Sequence, residues 1–180
     1  MTATNTADGI LQIPQAGRYR IDTRKSDVTF KGRHMFGLAT VRGTFAIRYG
    51  VIDVVVPIAD PTVRVEIDTA SFHTGNKQRD RDVRSARFLD TGQYPSMTFT
   101  SERLDRSTDR PTLTGTLTVR DVARPVALTI EESAVHNGIP ASFATRATVR
   151  IDRTEFGVTA ARGMAGRYFD VSLQILWVAR

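Results

Sequence analysis

A repeated alternation of apolar and polar residues constrains the fold of this chain more than any other feature of its sequence. In "TVRVEID", Val63, Val65 and Ile67 fall on one side of an extended chain, and the charged residues between them fall on the other. The stretch from Val171 to Trp177 repeats the pattern. Because the side chains of a strand alternate between two faces, this pattern predicts antiparallel strands with one buried and one solvated face.

Ten stretches carry a strand signal, and turn residues separate most of them. Turns are predicted at Tyr49-Gly50, Asp60-Pro61, Arg110-Pro111 and His136-Asn137-Gly138. About eight to ten strands must hide their edges, and an up-and-down closed barrel does so most simply. We therefore expect an all-β fold, a single antiparallel up-and-down β-barrel of about eight strands. A sandwich is the alternative, because alternation alone does not distinguish the two.

Residues 76–89 are the one segment that predicts a helix. The apolar residues Val83, Ala86 and Leu89 recur at every third position, which gives one or two short helical turns a narrow apolar stripe. The basic residues of this segment interleave with aspartates. This mixture predicts a solvated helical cap, and not a phosphate-binding surface with stacking aromatic residues.

The chain is strongly basic, with a formal net charge of +6 and a sequence pI of about 10.3. Of its 25 basic residues only Lys25, Lys31 and Lys77 are lysines, and the arginines are spread along the sequence. Such a spread favours an ordinary charged surface over a nucleic-acid-binding patch. Hydrophobic residues make up 41% of the 180 residues, which is typical of one soluble domain with a substantial core.

The chain divides into a short N-terminal part and one domain. Residues 1–16 predict a loose leader or an added edge segment, and residues 17–180 predict the barrel. The N-terminus lacks the basic and apolar regions of a signal peptide, and no segment has the roughly 20 apolar residues of a membrane span. We therefore expect a cytoplasmic protein without integral membrane association.

Large and small residues alternate at the positions that are expected to line the barrel interior. Phe30 and Gly32 share one face of a strand, and Val41, Gly43 and Phe45 share the inner face of the next. A barrel of about eight strands is either filled by side chains or holds one small ligand, and small inward residues favour a ligand cavity. Each glycine is equally well explained by a bulge or a bend that lets the barrel close.

Four aromatic residues near strand ends or in loops predict the rim of an apolar opening. They are Phe72, Phe88, Tyr94 and Phe156. Packing beneath a loop is the alternative interpretation, and it is the favoured one for any of the four taken singly.

Signals for catalysis and metal binding are sparse. Cysteine is absent, and His34, His73 and His136 do not have the spacing of a zinc site. The sequence has no nucleophile elbow and no Walker phosphate-binding loop. We expect no catalytic residues, no metal and no cofactor. An isomerase or cyclase that uses the barrel as a reaction chamber is an alternative, for which His34 with Tyr49 or Glu102 is the candidate polar pair.

Four blocks of sequence stand in order within residues 17–178: "RHMFGLATVRGTF", "EIDTASFHTGNKQRDRDVRSARFLDTGQYPSMTFTS", "LTGTLTVRDVARPVALTI" and "IDRTEFGV". They resemble the YceI-like family, which is also described as polyisoprenoid-binding and lipocalin-like. The second block is the most specific, because N-x-x-R-D precedes R-S-x-x-F-L-D-x-x-x-Y-P-x-M-x-F in it.

The resemblance implies an extended, lipocalin-like barrel with a short helical segment, which here falls around residues 76–89. It also implies an isoprenoid or similar amphiphile in an apolar tunnel, a homodimer, no enzymatic activity and, for many members, a periplasmic location. Together with the interior pattern, it gives the candidate ligand-binding residues Phe30, Gly32, His34, Val41, Gly43, Phe45, Phe72, Phe88, Met97, Phe99, Leu117, Ala147, Phe156 and Trp177. His34, Arg33 and Arg42 are candidates to orient a polar head group if they lie near the mouth of the barrel. The outward strand phase of Arg33 and Arg42 favours a surface role for these two.

The expected function is binding of a long amphiphilic isoprenoid or lipid, polyprenyl or quinone-like, for sequestration, transport or storage. Besides the enzyme, a binder of anionic surfaces or nucleic acids through the arginines is an alternative. The expected partners are the lipid-like ligand and a second copy of the chain, with no nucleic acid.

Overall fold

Nine antiparallel β-strands make up most of the computed structural model, which describes residues 11–55 and 60–180. The strands are β1 (Gly17–Ile21), β2 (Asp27–His34), β3 (Ala39–Val54), β4 (Thr62–His73), β5 (Ser96–Asp105), β6 (Thr112–Val119), β7 (Val122–His136), β8 (Ser142–Asp152) and β9 (Ala165–Ala179). The helix α1 (Lys77–Arg84) lies between β4 and β5, and a 3-10 turn (Arg153–Phe156) follows β8.

Strands β2 to β9 form a closed barrel in which each strand pairs with its neighbour in sequence. The pairing of β2 with β9, from Asp27 opposite Gln174 to His34 opposite Ala165, closes the circle. Strand β1 is extra, because Arg20 pairs both with Val51 of β3 and with Val178 of β9. The predicted all-β, up-and-down barrel is confirmed, and its closure excludes the sandwich.

The predicted turn at Tyr49-Gly50 is wrong, because β3 continues through both residues to Val54. The register with β4 shifts between Ile47 and Tyr49, so an irregularity bends the strand where the sequence suggested a turn. Gly50 makes room for the side chain of Ile21, whose Cγ1 would lie 2.7 Å from an added Cβ. The other predicted turns fall between strands.

The predicted helix is present but shorter, since α1 ends at Arg84 and not at Leu89. Its first turn is capped by Asn76, whose side chain accepts a hydrogen bond from the backbone N–H of Arg79. The backbone N–H and the hydroxyl of Ser85 both donate to the carbonyl of Asp82, at 3.1 and 2.6 Å. Ser85 thus competes for a helical acceptor and ends the helix, and the following residues form a turn.

Buried apolar residues gather in two groups, one at each end of the barrel. At the end next to β1, called the β1 end below, the ring of Phe143 lies 5.0 Å from that of Tyr19 and 5.8 Å from that of Trp177. At the end next to α1, called the helix end, the rings of Phe30 and Phe72 stack at 5.1 Å. Aromatic packing therefore fixes the strands at both ends.

The predicted N-terminal leader falls partly outside the described residues, which begin at Leu11. Leu11 forms a parallel bridge with Ser133 of β7. The backbone N–H of Gln12 donates to the carbonyl of Ser133 at 3.0 Å, and the Ser133 hydroxyl donates to the carbonyl of Gln12 at 2.8 Å. This segment is thereby attached to β7 at the β1 end.

We expect Gly43→Ala to lower the free energy of unfolding by roughly 1–3 kcal/mol, the usual cost of overpacking. An added Cβ would contact the ring of Phe30 and lie 2.5 Å from the backbone carbonyl oxygen of His73. A backbone atom in a paired strand has little freedom to retreat. Urea denaturation monitored by circular dichroism measures the change.

The matched control is Gly92→Ala, because no atom lies within 4 Å of a Cβ added at Gly92. It should change the free energy of unfolding by less than about 0.5 kcal/mol. Equal denaturation midpoints for the two variants would contradict the close packing around Gly43.

Candidate ligand-binding site

An apolar cavity of about 730 Å³ extends through the barrel interior, with residues of both ends in its wall. Inward residues of all eight barrel strands form that wall, following the alternation of each strand. Those between the two ends are mostly aliphatic, and they include Val28, Ile47, Val65, Leu117, Leu128, Ile130, Ala147 and Leu173. The inward side chains therefore do not fill the interior of the barrel.

Twelve of the fourteen predicted ligand-binding residues line this cavity. They are Phe30, His34, Val41, Phe45, Phe72, Phe88, Met97, Phe99, Leu117, Ala147, Phe156 and Trp177. Their contact with a ligand stays a prediction.

Gly32 and Gly43 are not among the cavity-lining residues. A Cβ at Gly32 would lie 2.5 Å from Cε1 of Phe169, and one at Gly43 would contact the ring of Phe30. These glycines therefore make room for the aromatic ring of the residue paired with each of them on the neighbouring strand. The small residues that suggested a ligand cavity serve the packing of the wall at these two positions.

Three of the four predicted rim aromatics lie at the helix end. Phe72, Phe88 and Phe156 are buried there and face the cavity. Tyr94 does not line the cavity, and the guanidinium of Arg120 lies 5.5 Å from its ring centroid. Tyr94 therefore packs outside the opening, as the alternative interpretation allowed.

Among the residues that the structure describes, charge in the cavity wall is confined to the helix end. Within the described residues, the charged members of the wall are Arg33, Arg79, Asp82, Arg87 and Arg153. Arg33, Asp82 and Arg87 are also exposed to solvent, so the cavity reaches the surface at this end. Four arginines against one aspartate make the opening electropositive.

Arg153 is the most deeply buried of these cations, with 8% of its surface exposed. Its Nε donates to the carbonyl of Gly166 at 2.7 Å, Nη1 to that of Val158 at 2.7 Å and Nη2 to that of Ala165 at 3.1 Å. Burial lowers the pKa of Arg153 below its ordinary value, but a guanidinium stays protonated at neutral pH. The site thus holds a positive charge against the apolar cavity.

Asp152 holds the chain that follows β8. It accepts hydrogen bonds from the backbone N–H and hydroxyl of Thr154, at 2.9 and 2.6 Å, and from Nε of Arg167 at 2.7 Å. Burial acts to raise the pKa of Asp152, but these bonds outweigh it and the pKa lies below its ordinary value. Asp152 is therefore a carboxylate that fixes the start of the 3-10 turn.

Sequence reasoning missed most of the polar residues at the opening. Arg79 and Arg87 come from the helical segment, and Arg153 comes from the 3-10 turn. No alternation marks such residues, because their position depends on how these segments pack over the end of the barrel. The missed aliphatic residues, such as Val149 and Ile151 of β8, follow the alternation that predicted their neighbours.

The polar pair suggested for an enzyme is not assembled. His34 lines the cavity, but Tyr49 is exposed and outside it. Glu102 is also exposed and accepts a hydrogen bond from the hydroxyl of Thr116 at 2.7 Å. His34 therefore faces the cavity without either proposed partner.

Metal ligands do not cluster in the part of the chain that the structure describes. No group of three or more His, Cys, Asp and Glu side chains there could hold an ion. Within residues 11–55 and 60–180, no helix is long and apolar enough to cross a membrane.

Comparison with known proteins identifies relatives along nearly the whole chain. The family model described as the YceI-like domain matches residues 19–177. Protein YceI of Escherichia coli is 32% identical over 168 residues, which cover 89% of this chain and 86% of that protein.

Solved structures share the fold at lower identity. BcnA of Burkholderia cenocepacia aligns with a TM-score of 0.72 and 22% identity, over 87% of this chain and 98% of that one. A polyisoprenoid binding domain from Saccharophagus degradans, implicated in plant cell wall breakdown, aligns with a TM-score of 0.67 and 14% identity. That alignment covers 92% of this chain and 100% of the domain.

We expect Asp152→Asn to lower the free energy of unfolding at pH 7 by roughly 2 kcal/mol, because charged hydrogen bonds are replaced by weaker ones. A carboxylate with a depressed pKa stabilises the fold above the ordinary Asp pKa of about 3.9, and this contribution is lost as the pH falls through the folded-state pKa. The difference from wild type should therefore shrink below about pH 4. Urea denaturation across a pH series measures it.

Asp109→Asn is the control, because Asp109 is exposed in the loop between β5 and β6. This variant should unfold like wild type across the series. If the deficit of Asp152→Asn were the same at low pH as at pH 7, its carboxylate would not be the group that stabilises the turn.

Proposed function

The chain belongs to the YceI-like family, as its sequence blocks predicted, and we propose that it binds a long amphiphilic isoprenoid inside its barrel. The ligand is polyprenyl or quinone-like, with an apolar chain in the cavity and a polar head at the helix end. The polyisoprenoid binding domain among the similar folds supports this ligand class.

The observation that carries the proposal is the separation of apolar and charged residues in the cavity wall. Aliphatic and aromatic side chains surround its length, and the charged residues of the described wall lie at one end. Each buried methylene of a lipid chain contributes about 0.8 kcal/mol in such surroundings. An amphiphile satisfies both regions at once, whereas a polar substrate leaves the apolar wall without a partner.

The orientation of the ligand in the cavity follows from the different residues at the two ends of the barrel. At the β1 end, Tyr19, Phe143 and Trp177 pack together, and Leu11 to Pro14 form part of the wall. At the helix end, arginines and His34 offer hydrogen-bond donors to a head group. The chain of the ligand therefore points toward Trp177, and its head lies near Arg79, Arg87 and Arg153.

The biological use of such binding is sequestration, transport or storage. Formation of a homodimer and a cytoplasmic location stay predictions from the sequence. Arg42, which the sequence offered as a head-group residue, is exposed on β3 and is not part of the cavity wall. Arg33 and His34 keep that role in the proposal, because both line the opening.

Purification without detergent, followed by native mass spectrometry and organic extraction, tests the proposal. We expect a co-purified amphiphile with an isoprenoid chain. Protein that is empty from several hosts, and that does not bind added geranylgeraniol, would overturn the proposal. A straight-chain alcohol with the same number of carbon atoms as geranylgeraniol is the control ligand. If it bound more tightly than geranylgeraniol, a lipid without methyl branches would be favoured.

We expect Ala147→Phe to weaken geranylgeraniol binding by at least about ten-fold, because its ring would occupy apolar volume that the ligand needs. Ala147 is buried in the cavity wall, between Ile130 of β7 and Leu173 of β9. Displacement of a fluorescent apolar dye measures the affinity, and circular dichroism verifies the fold.

Ala127→Phe is the control, because Ala127 is exposed on the outer face of β7. It should bind within about two-fold of wild type, since the added ring lies outside the barrel. Equal affinities for the two variants would place the ligand outside the cavity.

A further inference from the structure

Four exposed apolar side chains project together at the helix end. Met35, Phe36 and Leu38 lie in the turn between β2 and β3, with 47%, 78% and 86% of their surfaces exposed. Met164, in the connection between β8 and β9, is 52% exposed. We call these four residues the apolar tip. Large side chains grouped on a surface in this way mark an interaction site.

The apolar tip is a built feature, because hydrogen bonds join its two segments. The backbone N–H of Met35 donates to the carbonyl of Met164, and that of Phe36 donates to the carbonyl of Gly163, both at 2.8 Å. The ring of Phe36 lies over Gly163, where an added Cβ would be 2.7 Å from its Cε1. The two segments are therefore joined into one surface feature.

The turn holds its residues in an unfavourable backbone conformation. Met35, Phe36 and Gly37 follow one another with φ of 51°, 57° and 86°, all in the left-handed region. Bulky residues avoid this region, so its use at Met35 and Phe36 has a cost that other contacts must offset. The conformation displays apolar side chains to the solvent, which is the reverse of what stability alone favours.

The apolar tip adjoins the opening of the cavity. Arg33 and His34, which precede it, line the cavity, and so do Ala165 and Gly166, which follow Met164. Met164 belongs both to the tip and to the cavity wall. A surface that covers the tip therefore meets the opening.

Four arginines of the helix end have no carboxylate partner among the described residues. Arg33, Arg79, Arg87 and Arg162 form none of the ion pairs there, whereas Arg167 at the same end pairs with Asp152. Arg33 donates to the backbone carbonyl of Gly37 at 3.1 Å. Asp82 and Glu155 lie at the same end, but arginine predominates there. The surface is suited to an anionic partner.

We propose that the helix end docks on an anionic lipid bilayer. The apolar tip enters the interfacial region, the arginines meet the lipid phosphates, and the cavity opening faces the membrane. The choice of a bilayer rests partly on the proposed function, since a ligand that is itself a lipid is collected or released there. It rests also on shape, because a small projecting tip offers much less area than a stable protein complex requires.

Vesicle co-sedimentation tests the docking. We expect the wild-type protein to bind vesicles that contain phosphatidylglycerol, to bind phosphatidylcholine vesicles more weakly, and to be released by salt. The double variant Phe36→Ser, Leu38→Ser should reduce binding at least about ten-fold, through loss of apolar insertion. Arg162→Gln should reduce binding to the anionic vesicles about five-fold, and should leave binding to phosphatidylcholine unchanged.

The control removes similar groups from the opposite end of the barrel. Ile139 is an exposed apolar residue in the turn between β7 and β8, and Arg106 is an exposed arginine in the loop between β5 and β6. The double variant Ile139→Ser, Arg106→Gln should bind vesicles like wild type. An equal loss in this control would overturn docking through the helix end.

Two further measurements separate this inference from the proposed function. Phe36 and Leu38 do not line the cavity, so their double variant should bind geranylgeraniol in solution like wild type. If the wild-type protein bound vesicles but did not bind geranylgeraniol, docking on the bilayer would be supported. Only the proposed function would then be contradicted. The variant Phe36→Ser, Leu38→Ser could instead bind vesicles normally but no longer form a dimer in sedimentation velocity. The apolar tip would then contact a second chain, and the bilayer proposal would fail.

Discussion

Hydrogen bonding between β2 and β9 joins the first barrel strand to the last, and the separation of interior from exterior depends on this ladder. Its pairs run from Asp27 opposite Gln174 to His34 opposite Ala165. Closure leaves the sheet without a free edge and encloses the inner faces of eight strands. Because these faces are apolar and the circle is wide, closure creates a cavity that excludes charge along most of its length.

The size of that cavity depends on how the wall packs around it. The rings of Phe169, Phe30 and Phe99 lie over Gly32, Gly43 and Gly115. These rings therefore pack against the wall, in the space that the glycines leave between neighbouring strands. The central volume is then bordered by aliphatic side chains that do not meet across it, which leaves room for a flexible apolar chain.

The barrel could be predicted from the sequence because period-two alternation reports which face of a strand is buried. It placed Val63, Ala147 and Trp177 on the inner face, where the structure has them. Glycine was less informative, since a small residue fits equally well beside a ligand, a bend or an aromatic ring. Arg79, Arg87 and Arg153 of the opening could not be predicted, because the helix and the 3-10 turn are positioned by tertiary packing and capping at Asn76 and Asp152.

The position of the charged residues in the described cavity wall distinguishes the two ends of the barrel. Arg153 is held by three backbone carbonyls and borders the apolar cavity, so it places a positive charge there. The exposed apolar tip lies beside the same opening. The proposed head-group recognition and the proposed contact with a lipid surface thus coincide at the helix end, and the β1 end is packed with aromatic rings.

The most direct test of the apolar interior is the position of a bound ligand that carries a nitroxide on its polar head. Paramagnetic broadening of backbone amide signals in NMR spectra reports which residues lie near the label. We expect broadening at the helix end, around Gln78, Arg87 and Ala165, with the amides around Tyr19 and Phe143 unaffected. Broadening at the β1 end or on the outer face of β7, or an even effect over the surface, would contradict it.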